Sequence, residues 1–301
     1  VAVLRQTSRT EQPDWSKKTK DIMQEHLMRT IKNGKIDDQT DPSFEQLSGD
    51  LGRGLILICD HADNAFPEGY GTLGLPVGEL KRHIAYDIGA AGVTRELSRL
   101  LGVPAVLSRY SRLLIDPNRS IDDPTLVMRL SDGAVVPGNA HIQSTEIQKR
   151  IEHYYKPYHN RIDELIDTSI DFGRIPALFS VHSFTQAWKT VRRIWDSTIL
   201  WDKDPRLARP LIGALEGEED LVVGENVPYS GQLAGDCLYQ HGTMRGLAHA
   251  LIEIRQDLIE SREGQMAWAQ RLARVLENIL SKADINRAIN RVQYFGSHTD
   301  E

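Results

Sequence analysis

Cysteine is scarce in this chain. Only Cys59 and Cys237 are present, too few for a disulfide framework, and no CxxC pair offers itself for redox or zinc work. A basic excess is also lacking: 36 Lys and Arg against 42 Asp and Glu give a formal charge of −6, the opposite of a nucleic-acid binder's footprint. No run is long and apolar enough to cross a bilayer. The stretch from Arg5 to Lys20 is polar and lacks the apolar core of a signal peptide. Phosphate-binding glycines are missing in context: Gly69-Tyr70-Gly71-Thr72-Leu73-Gly74 does not lead from a strand directly into a helix, and there is no P-loop. These absences leave a cytoplasmic protein that acts on a small molecule, with neither nucleic acid nor membrane as partner.

What is present is enough for a large core. The chain has 301 residues, 40% of them hydrophobic, which suits one large α/β domain. The first fifty residues differ from the rest. They hold one amphipathic helical pattern over residues 17–31, then a connector rich in Gly, Asp, Gln and Ser over 33–54. Residues 1–50 therefore read as an N-terminal helical extension and 51–301 as the main domain.

From Leu55 onward, short apolar runs alternate with helical patterns. The runs cover 55–59, 104–107, 177–181, 221–223 and 248–254, and each is bounded by Gly, Pro or Asp as interior strands are. Apolar spacing predicts a helix over 79–101, capped by Gly102. A second spans 142–170, where Pro157 should kink or split it. A third opens at Asp204-Pro205, and a last one covers 265–282. The alternation implies a three-layer αβα domain with a mostly parallel mixed sheet.

In such sheets ligands bind beyond the carboxyl ends of the strands, so the residues that follow each apolar run carry the functional information. His61 and His182 occupy matching positions after two different runs. Two neutral imidazoles and one oxygen donor would hold a single zinc ion with a coordination position left open. Asp63, Asn64 and Asp87 are the candidates for the third donor; Asp87 is favoured because a carboxylate binds zinc better than an amide, and it is expected on the helix that follows. Glu253 lies inside the apolar run Ala250-Leu251-Ile252-Glu253-Ile254. A carboxylate there is costly unless paired or functional, which makes Glu253 the candidate general base. Arg112 and Arg119 offer bidentate forks for a substrate carboxylate or carbonyl, and Asn118 can assist. Ser183 beside His182 lacks the GxSxG of a nucleophile elbow. His141, His153, His241 and His249 have no metal-like spacing and read as structural or exposed.

Several of these stretches together resemble the N-formylglutamate amidohydrolases. They are Cys59-Asp60-His61-Ala62-Asp63-Asn64, His83-Ile84-Ala85-Tyr86-Asp87, Ser108-Arg109-Tyr110-Ser111-Arg112 with Asp116-Pro117-Asn118-Arg119, Tyr155-Lys156-Pro157-Tyr158-His159, Val181-His182-Ser183-Phe184-Thr185, Glu225-Asn226-Val227-Pro228-Tyr229-Ser230 and Glu253-Ile254-Arg255. The resemblance implies a fold shared with zinc carboxypeptidases and aspartoacylase-like deacylases. It also implies zinc-dependent hydrolysis of an N-formyl or related N-acyl amide of an acidic amino acid, N-formylglutamate above all. By the same resemblance, His61 and His182 match zinc ligands, Asn118-Arg119 the substrate-carboxylate segment and Glu253 the strand base. Arg112, or Arg109, would stabilise the oxyanion, and Arg109, Ser183, Asn226, Tyr229 and Arg255 would add substrate contacts. Asn64 departs from the pattern, standing where aspartoacylase-like enzymes carry Glu as the second zinc ligand; that strengthens Asp87. It also sustains a rival reading, a non-catalytic anion-binding protein on the same fold. A second rival is an amidase for another N-acyl amino acid.

Overall fold

The computed structural model describes residues 34–300; the helix expected over 17–31 lies outside them. Eight strands form the central sheet: β1 (Gln39–Thr40), β2 (Phe44–Leu47), β3 (Leu55–Cys59), β4 (Ala105–Ser108), β5 (Ala177–Phe184), β6 (Ser197–Leu200), β7 (Val223–Glu225) and β8 (His249–Arg255). Their spatial order is β7-β6-β8-β5-β3-β4-β2-β1. The four central strands β8, β5, β3 and β4 run parallel. β6 pairs antiparallel with β8, and β2 antiparallel with β4.

Strand alternation divides the two faces. Leu55, Leu57, Phe179, Val181, Ala250, Ile252 and Ile254 point to one side, where they meet helices α1 (Ala90–Leu101), α3 (Pro205–Glu216) and α5 (Arg262–Ser281) in one large core. Each large apolar side chain buried there contributes roughly 1.5–3 kcal/mol. The opposite face carries Ser180, His182, Leu251 and Glu253. Helix α2 (Lys156–Asp171) and the short helix α4 (Cys237–His241) cover that side. The domain is thus three-layered, with the polar residues gathered on one face.

Several local expectations change. Where it is described, from Gly34, the connector expected over 33–54 is instead largely short strands, and Phe44–Leu47 joins the main sheet against β4. The run at 177–181 continues to Phe184, because backbone pairing with β8 persists to Arg255; His182 and Ser183 therefore lie within a strand. β6 was not legible as a strand, since Ser197-Thr198-Ile199-Leu200 offers only two apolar residues in sequence. The helix over 79–101 forms only over its last part, Ala90–Leu101, apart from a 3-10 turn at Glu79–Lys81. Asp87 is consequently in a loop. Its backbone N–H is drawn to the His61 carbonyl at 2.9 Å, and Gly89 then takes φ 82° to start α1. The segment 142–170 is helical from Ser144 and runs on without a break, but a π turn at Ile151–Tyr155 directly precedes Pro157, where α2 begins.

Gly89 leaves no room for a side chain. A Cβ there would collide with the Ile259 carbonyl, and its φ is one that side-chain-bearing residues avoid. Gly89→Ala is expected to destabilise the fold by at least about 1–2 kcal/mol, read as a lower urea midpoint. An unchanged midpoint would show that the loop carrying Asp87 relaxes without cost.

Candidate metal centre and active site

Three neighbouring strands deliver the central residues. Asp60 and His61 follow β3, His182 sits in β5, and Glu253 stands opposite His182 in the register of β8. The loop ahead of α1 brings Asp87 over them. His61, Asp87 and His182 offer ligand atoms that all lie within 4.8 Å of one another, and all three are buried. The imidazoles meet edge to face, 4.9 Å between centroids. Nδ1 of His182 lies 2.8 Å from Asp87 Oδ2, and Nδ1 of His61 lies 3.4 Å from the same oxygen.

Each ring is oriented from behind. His61 Nε2 donates to Asp116 Oδ1 at 2.7 Å, and His182 Nε2 donates to Asp60 Oδ2 at 3.0 Å. A carboxylate on the far nitrogen is the usual means of fixing a metal-binding imidazole and raising its basicity. Asp60 in turn accepts from Tyr158 Oη at 2.9 Å and Ser180 Oγ at 3.1 Å. Burial opposes ionisation of Asp60, but the hydrogen bond and charge of His182 hold it well below the usual carboxylate range. Burial likewise opposes charge on His182, yet its bonds to Asp60 and Asp87 raise it well above an ordinary histidine. The electrostatics that hold a proton on that ring also suit a divalent cation beside Asp87, so the donor set fits a metal. Asp63 caps the Asn64 and Ala65 N–H groups, and Asn64 donates to the Leu80 carbonyl. Neither joins the group.

Arg112 donates to Asp116 Oδ2 at 2.8 Å and lies 3.7 Å from Asp87 Oδ1. Among the described residues, its buried Nε has no partner, and neither has the buried Oε2 of Glu253. Burial, followed by the nearby charge of Asp87, pushes the Glu253 carboxyl up to about 7. Asn118, Arg119, Ser183 and Tyr229 line the same cavity. Arg109, Asn226 and Arg255 do not line it. Arg109 reaches toward the Asp41 carbonyl. Asn226 bonds both backbone groups of Trp201 and the Gly231 N–H. Arg255 is paired with Asp196 and Asp257. All three have structural partners in place of the expected substrate contact.

Sequence reasoning missed Asp60 and Asp116 as orienting groups. Their adjacency to His61 and to Asn118-Arg119 was the available signal. It also missed a buttress beneath the loop. Asp163 accepts from His241 Nδ1 at 2.9 Å, His241 and His159 meet at 2.8 Å, and His159 Nε2 donates to the Pro117 carbonyl at 3.0 Å. Asn118 Oδ1 accepts the Cys237 N–H at 3.1 Å. These bonds pin the segment that carries Asp116 and Arg119. His159, Cys237 and His241 also cluster closely enough to suit a metal, but their imidazole nitrogens are already engaged as this buttress.

The family model for N-formylglutamate amidohydrolase matches residues 53–260. A crystal structure of a gene product from Agrobacterium tumefaciens is 35% identical, with a TM-score of 0.73, over 77% of this chain and 92% of that one. An N-formylglutamate amidohydrolase from Ralstonia eutropha is 22% identical, with a TM-score of 0.63, over 78% and 95% of the two chains. No curated protein matches.

If Asp116 orients His61, Asp116→Asn should weaken binding of cobalt, used as a divalent probe, by about 10–100-fold in chelator competition. Unchanged affinity would restrict Asp116 to holding Arg112.

Proposed function

The chain belongs to the N-formylglutamate amidohydrolase family, and from that premise we propose that it is a zinc-dependent hydrolase of N-formyl or related N-acyl amino acids, with N-formylglutamate as the reference substrate. One observation carries the reading. The cavity lined by His61, Asp87 and His182 is also lined by Arg112 and Glu253, whose buried donor Nε and buried acceptor Oε2 find no partner among the described residues. Unsatisfied buried groups are costly, and an amide with an attacking water supplies what both lack.

The donor set of two imidazoles and a carboxylate suits zinc. A zinc ion held there supplies Lewis acidity for the scissile carbonyl and makes water reactive at neutral pH. The remaining steps fall to the chain's own side chains. Glu253 accepts a proton from the attacking water and returns it to the leaving amine nitrogen. A carboxyl raised by burial suits both halves of that exchange. Arg112 is already charge-balanced by Asp116 and borders the cavity, where its guanidinium stabilises the oxygen that becomes negative. Arg119 holds the substrate carboxylate, with Asn118 beside it. Asn118 Oδ1 is committed to the Cys237 N–H, which leaves its amide nitrogen as the donor. The products are formate, or another carboxylate, and the free amino acid.

Glu253→Gln is expected to retain zinc at wild-type stoichiometry while kcat on N-formylglutamate falls roughly 10²–10⁴-fold. Metal analysis alongside steady-state kinetics checks both halves. Substantial residual turnover would remove Glu253 from the proton-transfer role.

A further inference from the structure

The cavity does not end at the catalytic group. Its volume is about 320 Å³, and it continues along the sheet face. Glu253, Leu251 and His249 alternate on β8 with the core-facing Ala250 and Ile252, so they share one face. At ~3.3 Å per residue, His249 lies about 13 Å along the strand from Glu253. All three border the cavity. Leu200, the register partner of Leu251, lies beside it on β6. Leu238 of α4 and Trp201 add apolar wall, and Thr243 sits next to His249, its hydroxyl 3.2 Å from Nε2. Leu200, Leu238 and Leu251 are buried at 5%, 6% and 5% exposure. A formyl group reaches none of this.

Charge along the cavity points the same way. Outside the His61–His182 pair, its basic side chains are Arg112, Arg119, His83 and His249. Arg112 is engaged by Asp116 and Asp87. His83 faces Asp132 at 3.5 Å, and burial lowers its pKa. Among the described residues that line the cavity, Arg119 alone is a guanidinium with no acidic partner; its Nη1 bonds only the Asn118 carbonyl. One free guanidinium accommodates one carboxylate. The remaining acids nearby, Asp202 and Asp236, offer nothing to a second: Asp202 is held by His298, and Asp236 is buried at the N-terminus of α4.

We propose that the trench formed by Leu200, Leu238, Leu251, Trp201, Thr243 and His249 is a subsite for an extended apolar group, so that the preferred substrate is an N-acyl amino acid with one carboxylate on Arg119 and a hydrocarbon or aryl chain in the trench. This rests on the amide-hydrolase reading above. The chain can come from either half of the amide: a long acyl group or an apolar amino-acid side chain presents the same chemistry.

The test measures kcat/KM of the zinc-loaded full chain on three compounds: N-formyl-L-glutamate, N-formyl-L-leucine and N-hexanoylglycine. At least one apolar compound should exceed N-formylglutamate by about 10-fold or more, as extra methylenes in a matching pocket do. The winning compound identifies which half of the amide enters the trench. Thr243→Phe, which narrows the trench, should bring that ratio back toward unity. A ratio unchanged in the variant, or N-formylglutamate as the best of the three, overturns the subsite. Hydrolysis of none of them would overturn the amide-hydrolase reading itself, and the subsite with it.

Discussion

The structure depends on one carboxylate held against two imidazoles. Asp87 Oδ2 lies within 3.4 Å of Nδ1 on both His61 and His182, and it also accepts the Ser183 N–H. In a buried setting such a group survives only if opposite charge and donors surround it. The neighbouring elements supply them. Arg112 approaches from the loop after β4, and Asp60 and Asp116 hold the rings in place from behind. Asp87 itself is held by a backbone bond to His61 and by the glycine that begins α1.

This arrangement works because the sheet separates its chemistry by face. The α1, α3 and α5 side is packed as one large apolar core, and the charged residues of the site stand on the other side, beside buried apolar residues such as Leu178, Leu251 and Ile166. Buried ionic networks add little net stability compared with an apolar replacement. Their concentration over β3, β5 and β8 is therefore best understood as preorganisation of a reacting centre, with the large opposite core as the main source of stability.

Much of the site was legible because strand patterning reveals where an apolar run stops. His61 was found in that way. Glu253 stood out for the converse reason, a carboxylate enclosed by apolar neighbours. Arg255 shows the limit of such reasoning. It ends the same strand two residues after Glu253, so alternation puts it on the same face, yet its guanidinium is taken up by Asp196 and Asp257. Asp87 was selected for its chemistry but assigned to a helix, since apolar spacing over 79–101 says nothing about a backbone diverted by a tertiary hydrogen bond.

The sequence by itself determined the class of fold, the alternation that sorts side chains between faces, and the residue types able to bind a metal and move a proton. These depend on periodicity and on functional-group chemistry, both local properties. Tertiary structure alone decided that Asp87, and not Asp63 or Asn64, meets the two histidines, that Asp60 and Asp116 orient them, and that the cavity extends to His249. Those outcomes depend on distances between segments far apart in the chain, set by strand order and loop path, which no local pattern encodes.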